Sequence, residues 1–151
     1  MNVIKKILPA VVIGVLVLGT GAEAATVSKT GSRGGSVNKS FTHSGGTATG
    51  SVNKTGPYGS TVNKSYGYAN GTGTSTVSKT GAYGSTVNKT STHTAGSTSG
   101  TVSKTGVNGG TVEGSYTHTA GQGGSYDVTK TAPNGTTVTS SGSKTVTPPP
   151  Q

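Results

Sequence analysis

Cysteine and tryptophan are absent, and only three acidic residues, Glu23, Glu113 and Asp127, stand against twelve Lys and Arg. Without cysteine there is neither a disulfide framework nor a thiol nucleophile. Leu and Ile occur only within the first eighteen of the 151 residues. From Ala25 onward the large apolar residues are twelve Val, six Tyr and Phe41, against 72 Gly, Ser and Thr among 127 residues. Burying a Val- or Phe-sized side chain contributes roughly 1.5–3 kcal/mol, whereas ordering each backbone residue costs about 1–2 kcal/mol. Nineteen large apolar residues cannot offset the ordering of the whole segment, so a conventional globular core is excluded. Two possibilities remain: a chain disordered until it assembles, or a repetitive architecture in which main-chain pairing and neighbouring copies replace a core.

The amino terminus carries an address. Lys5 and Lys6 precede an apolar run from Ile7 to Leu18, followed by small residues ending Ala22-Glu23-Ala24. This is the three-part layout of a secretory signal peptide spanning residues 1–24, with cleavage after Ala24. The run contains Pro9 and Gly14 and falls short of the roughly 20 residues that cross a bilayer, so no membrane span is expected after cleavage. The short Lys-Lys start points to a bacterium and to a secreted, cell-surface or periplasmic destination. The processed chain retains nine Lys and Arg33 against Glu113 and Asp127, a net charge of +8.

From Ala25 the chain is repetitive. TVSKTG begins at Thr26, Thr76 and Thr101, with SVNKTG at Ser51 and DVTKTA at Asp127. Each is succeeded by a related segment, at Ser36, Thr61, Thr86, Thr111 and Thr137. The ten phased valines, from Val27 to Val138, are spaced alternately by 10 and 15 residues with a single 16. Residues 25–145 therefore form five tandem units of about 25 residues, and a Pro-rich tail, 146–151, cannot continue a hydrogen-bonded ladder. A flexible linker has no reason to keep Val and Lys in phase.

Val and Thr favour pleated surfaces, Gly recurs at fixed offsets, and no apolar 3.6-residue period appears after the signal. The fold class is all-β. In Ser36–His43 alternation puts Val37, Lys39, Phe41 and His43 on one face and Ser36, Asn38, Ser40 and Thr42 on the other. The ten-residue step holds a tight turn, such as GPYG at Gly56 and GAYG at Gly81. Matching valines across it pairs Val77 with Val87, leaves Gly81–Tyr83 as the loop, and sets Lys79 opposite Ser85 and Lys89 opposite Ser75. Two arrangements fit the repeat, a hairpin meander and a β-solenoid with one unit per coil. A Lys two residues after nearly every Val favours an open, two-sided sheet, whose edges are available to other chains.

Candidate chemistry is sparse, and an enzyme is not expected. Two carboxylates and no thiol leave no paired-carboxylate or cysteine mechanism, no cofactor motif appears, and no metal set is assigned. His43, His93 and His118 recur six residues after the second Val of their units, where other units carry Tyr68 and Lys144. They form either a column of imidazoles or one strand position that accepts any large polar residue. Phe41, Tyr66 and Tyr116 share another position, and Tyr58 and Tyr83 fall at turn tips. These rings either cover the sheet or stack on sugars or other copies. Six Asn-X-Ser/Thr sequons matter only in a glycosylating host.

The strongest phased signal beside valine is lysine: Lys29, Lys54, Lys79, Lys104 and Lys130 follow the first Val of each unit, and Lys39, Lys64 and Lys89 the second. A repeated sheet turns this phase into basic rows that attract anionic polysaccharide or extracellular DNA, or that keep the sheet soluble and guard its edges. Thr26, Ser28 and Thr30, repeated as Thr76, Ser78 and Thr80, form hydroxyl rows like those of ice-binding solenoids. The layout, a cleaved signal and then five Gly/Ser/Thr-rich β repeats, resembles that of curlin, the bacterial functional-amyloid subunit. It departs from curlin in carrying Lys, rather than Gln and Asn, at the repeated position. The expectation is a secreted structural repeat protein that self-associates or joins the cell surface or matrix. Polyanion binding is the alternative and an ice-binding surface the third reading.

Overall fold

The computed structural model describes residues 22–146. The signal segment therefore lies outside the described residues except for Ala22–Ala24, and the tail except for Val146. The described residues form ten strands of nine residues each: β1 (Ala22–Thr30), β2 (Ser36–Ser44), β3 (Thr47–Thr55), β4 (Thr61–Ala69), β5 (Thr72–Thr80), β6 (Thr86–Thr94), β7 (Ser97–Thr105), β8 (Thr111–Thr119), β9 (Gly123–Thr131) and β10 (Thr137–Thr145). They lie in one open sheet in sequence order, each antiparallel to its neighbours. Of the two arrangements the repeat allowed, this is the hairpin meander. Equivalent residues of successive units stand two strands apart.

Two kinds of turn alternate, and both depend on glycine. At one end of the sheet, five-residue links such as Gly31–Gly35 and Gly81–Ser85 close with paired bonds. Gly81 N–H donates to the Ser85 carbonyl at 2.7 Å and Gly84 N–H to the Gly81 carbonyl at 3.0 Å. The fourth residue of each link is left-handed: Gly34, Gly59, Gly84, Gly109 and Gly135 have φ between 77° and 84°. This is a type I turn completed by a glycine bulge. At the other end the turns are shorter, with Gly45-Gly46 and Asn70-Gly71 both at positive φ, as a two-residue hairpin of primed type requires. The extra residue behind the single 16-residue spacing is taken up in the turn at Ala120–Gln122, so the strands beyond it keep their register.

The register corrects the valine-to-valine pairing. Val77 faces Lys89 and Lys79 faces Val87, while Ser75 faces Ser91. Ser85 lies in the link. The left-handed glycine is the reason: pairing Val77 with Val87 would place Gly84 inside the ladder opposite Thr80, whereas its φ of 83° belongs to the bulge. Gly84→Val tests this. No heavy atom lies within 4 Å of a Cβ built there, so the penalty is purely conformational. It should cost about 1–2 kcal/mol. Tyr83→Ser, beside it with a ring 89% exposed, should leave the thermal midpoint unchanged by circular dichroism.

There is one layer and no interior. Among the described residues no hydrophobic and no polar side chain is buried. Both faces of the sheet are open to solvent, which is the physical outcome of a chain with too few large apolar residues to fill a second layer.

Candidate functional site

Antiparallel register converts the phased lysines into a lattice on one face. Across the sheet nearest the five-residue links, one row runs Lys29, Val37, Lys54, Val62, Lys79, Val87, Lys104, Val112, Lys130, Val138. The next row on the same face runs Val27, Lys39, Val52, Lys64, Val77, Lys89, Val102, Gly114, Val128, Ser140. All eight lysines singled out by the sequence thus fall in two adjacent rows as a checkerboard with valine. Within a row, successive lysines stand two strands apart, ~9.6 Å at the usual strand spacing. No lysine faces another directly, which removes the closest like-charge pairs. The lysines are exposed, while nine of the ten phased valines are half-buried.

The opposite face is almost entirely hydroxyl and amide. Its row nearest the links holds nine Thr and Ser36. Cross-strand hydroxyl bonds tie this face together, Ser40 to Ser51 at 2.8 Å and Thr90 to Thr101 at 2.7 Å, with Ser65 to Thr76 between them. Thr26, Ser28 and Thr30 lie here, as do Thr76, Ser78 and Thr80. So do Glu113 and Asp127. The two carboxylates of the repeat region therefore lie on the face away from the lysine checkerboard, and they do not neutralise it across a strand pair.

Beyond the checkerboard comes a row of aromatics set among small residues. Phe41 faces Ala25 and Gly50, Tyr66 faces Gly50 and Ser75, and Tyr116 faces Gly100 and Tyr126. The rings lie down over neighbouring glycines: a Cβ at Gly50 would overlap Tyr66, and one at Gly142 would come within 2.6 Å of the Tyr126 ring. Sequence reasoning places Phe41, Tyr66 and Tyr116 together but misses the glycine beneath. Its signal is a recurring gap of sixteen residues, Gly50 to Tyr66, Gly100 to Tyr116 and Tyr126 to Gly142. Gly100→Val is predicted to lower the thermal midpoint, because the new side chain meets both the Tyr116 hydroxyl and the Thr90 carbonyl.

His43, Tyr68, His93, His118 and Lys144 share one row near the two-residue turns. The residues between them are small, Ala48, Gly73, Thr98 and Gly124, and His93 Nδ1 hydrogen-bonds the Thr98 hydroxyl at 2.7 Å. Neighbouring large residues in this row are two strands apart, ~9.6 Å between backbones at the usual strand spacing. Among the described residues no three His, Cys, Asp or Glu gather as a metal-holding group. Tyr58 and Tyr83 stand at turn tips, 84% and 89% exposed, off the face altogether. Where Gly114 interrupts the second row, a shallow hollow opens between Val102, Val112, Val128 and Lys104, rimmed by Tyr116 and Tyr126. No protein-family model, curated protein or solved structure matches this chain.

Proposed function

We propose that this is a secreted bacterial structural protein that associates with copies of itself at the cell surface or in the extracellular matrix. The observation that carries the reading is the single layer, in which no side chain of the described residues is buried. Ladder bonds contribute only about 0.5–1.5 kcal/mol each once exchange with water is counted, and backbone ordering opposes them at about 1–2 kcal/mol per residue. A one-layer sheet becomes a stable object when further copies cover its half-exposed Val and aromatic rows or pair with its edges. Sedimentation velocity of the processed protein over a wide concentration range tests this. The expected result is a species that grows with concentration; one copy at every concentration would refute it.

A second reading rests on a separate observation. Eight lysines share one face with no carboxylate in either of their rows, while Glu113 and Asp127 point the other way. Such a face attracts anionic polysaccharide or extracellular DNA by counterion release. The two readings agree on a matrix setting and differ in what holds the protein there.

A further inference from the structure

We propose that copies join head to tail, the β10 edge of one chain pairing antiparallel with the β1 edge of the next to continue the same sheet. This rests on the self-association reading and names the surface and the partner it fits, a second copy's opposite edge. Among the described residues β1 and β10 are the two ends of the sheet, each with one neighbour. Because the strands are ten and alternate in direction, β10 stands to the next β1 as β2 stands to β3. Every row then runs on unbroken. Lys29 falls beside Val138, Val27 beside Ser140, Thr30 beside Thr137, and Ala25 beside Gly142.

Three observations favour this joint. Val138, with a lysine on one side only, is 62% exposed, whereas Val37, Val62, Val87 and Val112 of the same row, each between two lysines, are half-buried. The stem of an incoming Lys29 supplies its missing flank. Charge agrees: the β1 edge carries Lys29 in a strand that leads to Arg33, while β10 has Val138 and Ser140 in the two basic rows. Two β1 edges would bring basic residues together, and a β1 edge meeting β10 would not. Backbone polarity agrees as well. The bonds Gly31 N–H to Gly35 and Ala132 N–H to Thr136 fix which residues bond within each terminal hairpin. By antiparallel alternation, Thr26, Ser28 and Thr30 on β1, and Thr137, Thr139 and Ser141 on β10, turn their N–H and C=O groups outward. These two sets face one another in the continued register. Such a contact is heterologous and does not close, so copies add without limit at ~48 Å per ten strands.

The absence of cysteine makes a direct test available. A Thr30→Cys, Thr137→Cys variant is processed, purified reduced, allowed to assemble and then oxidised. In the continued sheet these positions lie ~5.5 Å apart between copies, within disulfide reach, but nine strands apart, ~43 Å, within one copy. The expected result is a ladder of dimers, trimers and higher multimers on a non-reducing gel. Either single-cysteine variant should give no ladder, and all variants should keep the parent circular dichroism. An intrachain disulfide would mean that the sheet closes on itself and would overturn the joint. Assemblies seen by sedimentation without cross-links would also overturn it, leaving self-association through other surfaces. Absence of assemblies from the unsubstituted protein would overturn the self-association reading itself.

Discussion

On the polyanion-binding reading, replacing Lys54, Lys64, Lys79 and Lys89 by Gln should lower the salt dependence of binding steeply while leaving the β-sheet signal in place. These four occupy consecutive strands, β3 to β6, and alternate between the two basic rows, so together they clear the centre of the checkerboard. For duplex DNA each neutralised phosphate contributes about 0.9 to the slope of log affinity against log salt. Loss of four contacts therefore flattens the slope by up to ~3.6, and affinity at low salt falls by orders of magnitude. The fold should survive because the strand pairing does not use these side chains and each Gln keeps part of the aliphatic stem of the lysine it replaces. Titrations with DNA and with an acidic polysaccharide, at low and at physiological salt, read the effect. An unchanged slope, with faster aggregation of the variant, would make the lysines solubility guards only.

Ser78→Pro should abolish the ordered sheet and Ser28→Pro should not, although both serines stand in the same hexapeptide, TVSKTG. The difference comes from topology alone. Ser78 is interior, between Asn63 on β4 and Asn88 on β6. By the alternation that the Asn70-Gly71 turn sets, its N–H is committed to β4. Proline there removes a ladder bond and clashes, a loss of roughly 3 kcal/mol or more by analogy with helix interiors. A sheet without a core has no reserve to absorb that. Ser28 lies on β1 with its N–H directed away from β2, the position where an edge strand accepts proline. Ser28→Pro should thus leave every ladder bond within the copy in place while stopping growth at that edge, so its β signal should match that of the parent diluted to the unassembled state. Circular dichroism and sedimentation on the two variants, beside the diluted parent, separate these outcomes; a β signal in Ser28→Pro as far below the diluted parent as that of Ser78→Pro would contradict the strand order.

Much of the fold is legible in the sequence, and the reasons differ from element to element. The alternation of Val37, Lys39, Phe41 and His43 against Ser36, Asn38, Ser40 and Thr42 names both faces, because a pleated strand has period two whatever its neighbours do. The 10/15 phase names the hairpins and the units. Matching valine to valine across a turn misses the register by two positions. It ranks side-chain matching above turn geometry, although a glycine at the fourth position of every long link, from Gly34 to Gly135, fixes the bulge and hence the register. That correction matters chemically, since it turns valine pairs into the Val–Lys checkerboard. The rings lying over Gly50, Gly100 and Gly142 are invisible to any local reading, because each contact joins residues sixteen apart on neighbouring strands. The histidine row is legible as a row, but its spacing is not, since it depends on whether successive units stack one strand apart or two.

Under the proposed self-association, a sheet with no interior owes its order to its neighbours. Far-ultraviolet circular dichroism of the processed protein, followed from high dilution to the concentrations at which sedimentation detects assemblies, tests it most directly. The β signal per residue should rise with concentration in step with particle size, and the thermal midpoint should rise with it, as mass action requires when only the ordered form associates. A full β signal with a sharp, concentration-independent melt in a protein that sediments as one copy would contradict it.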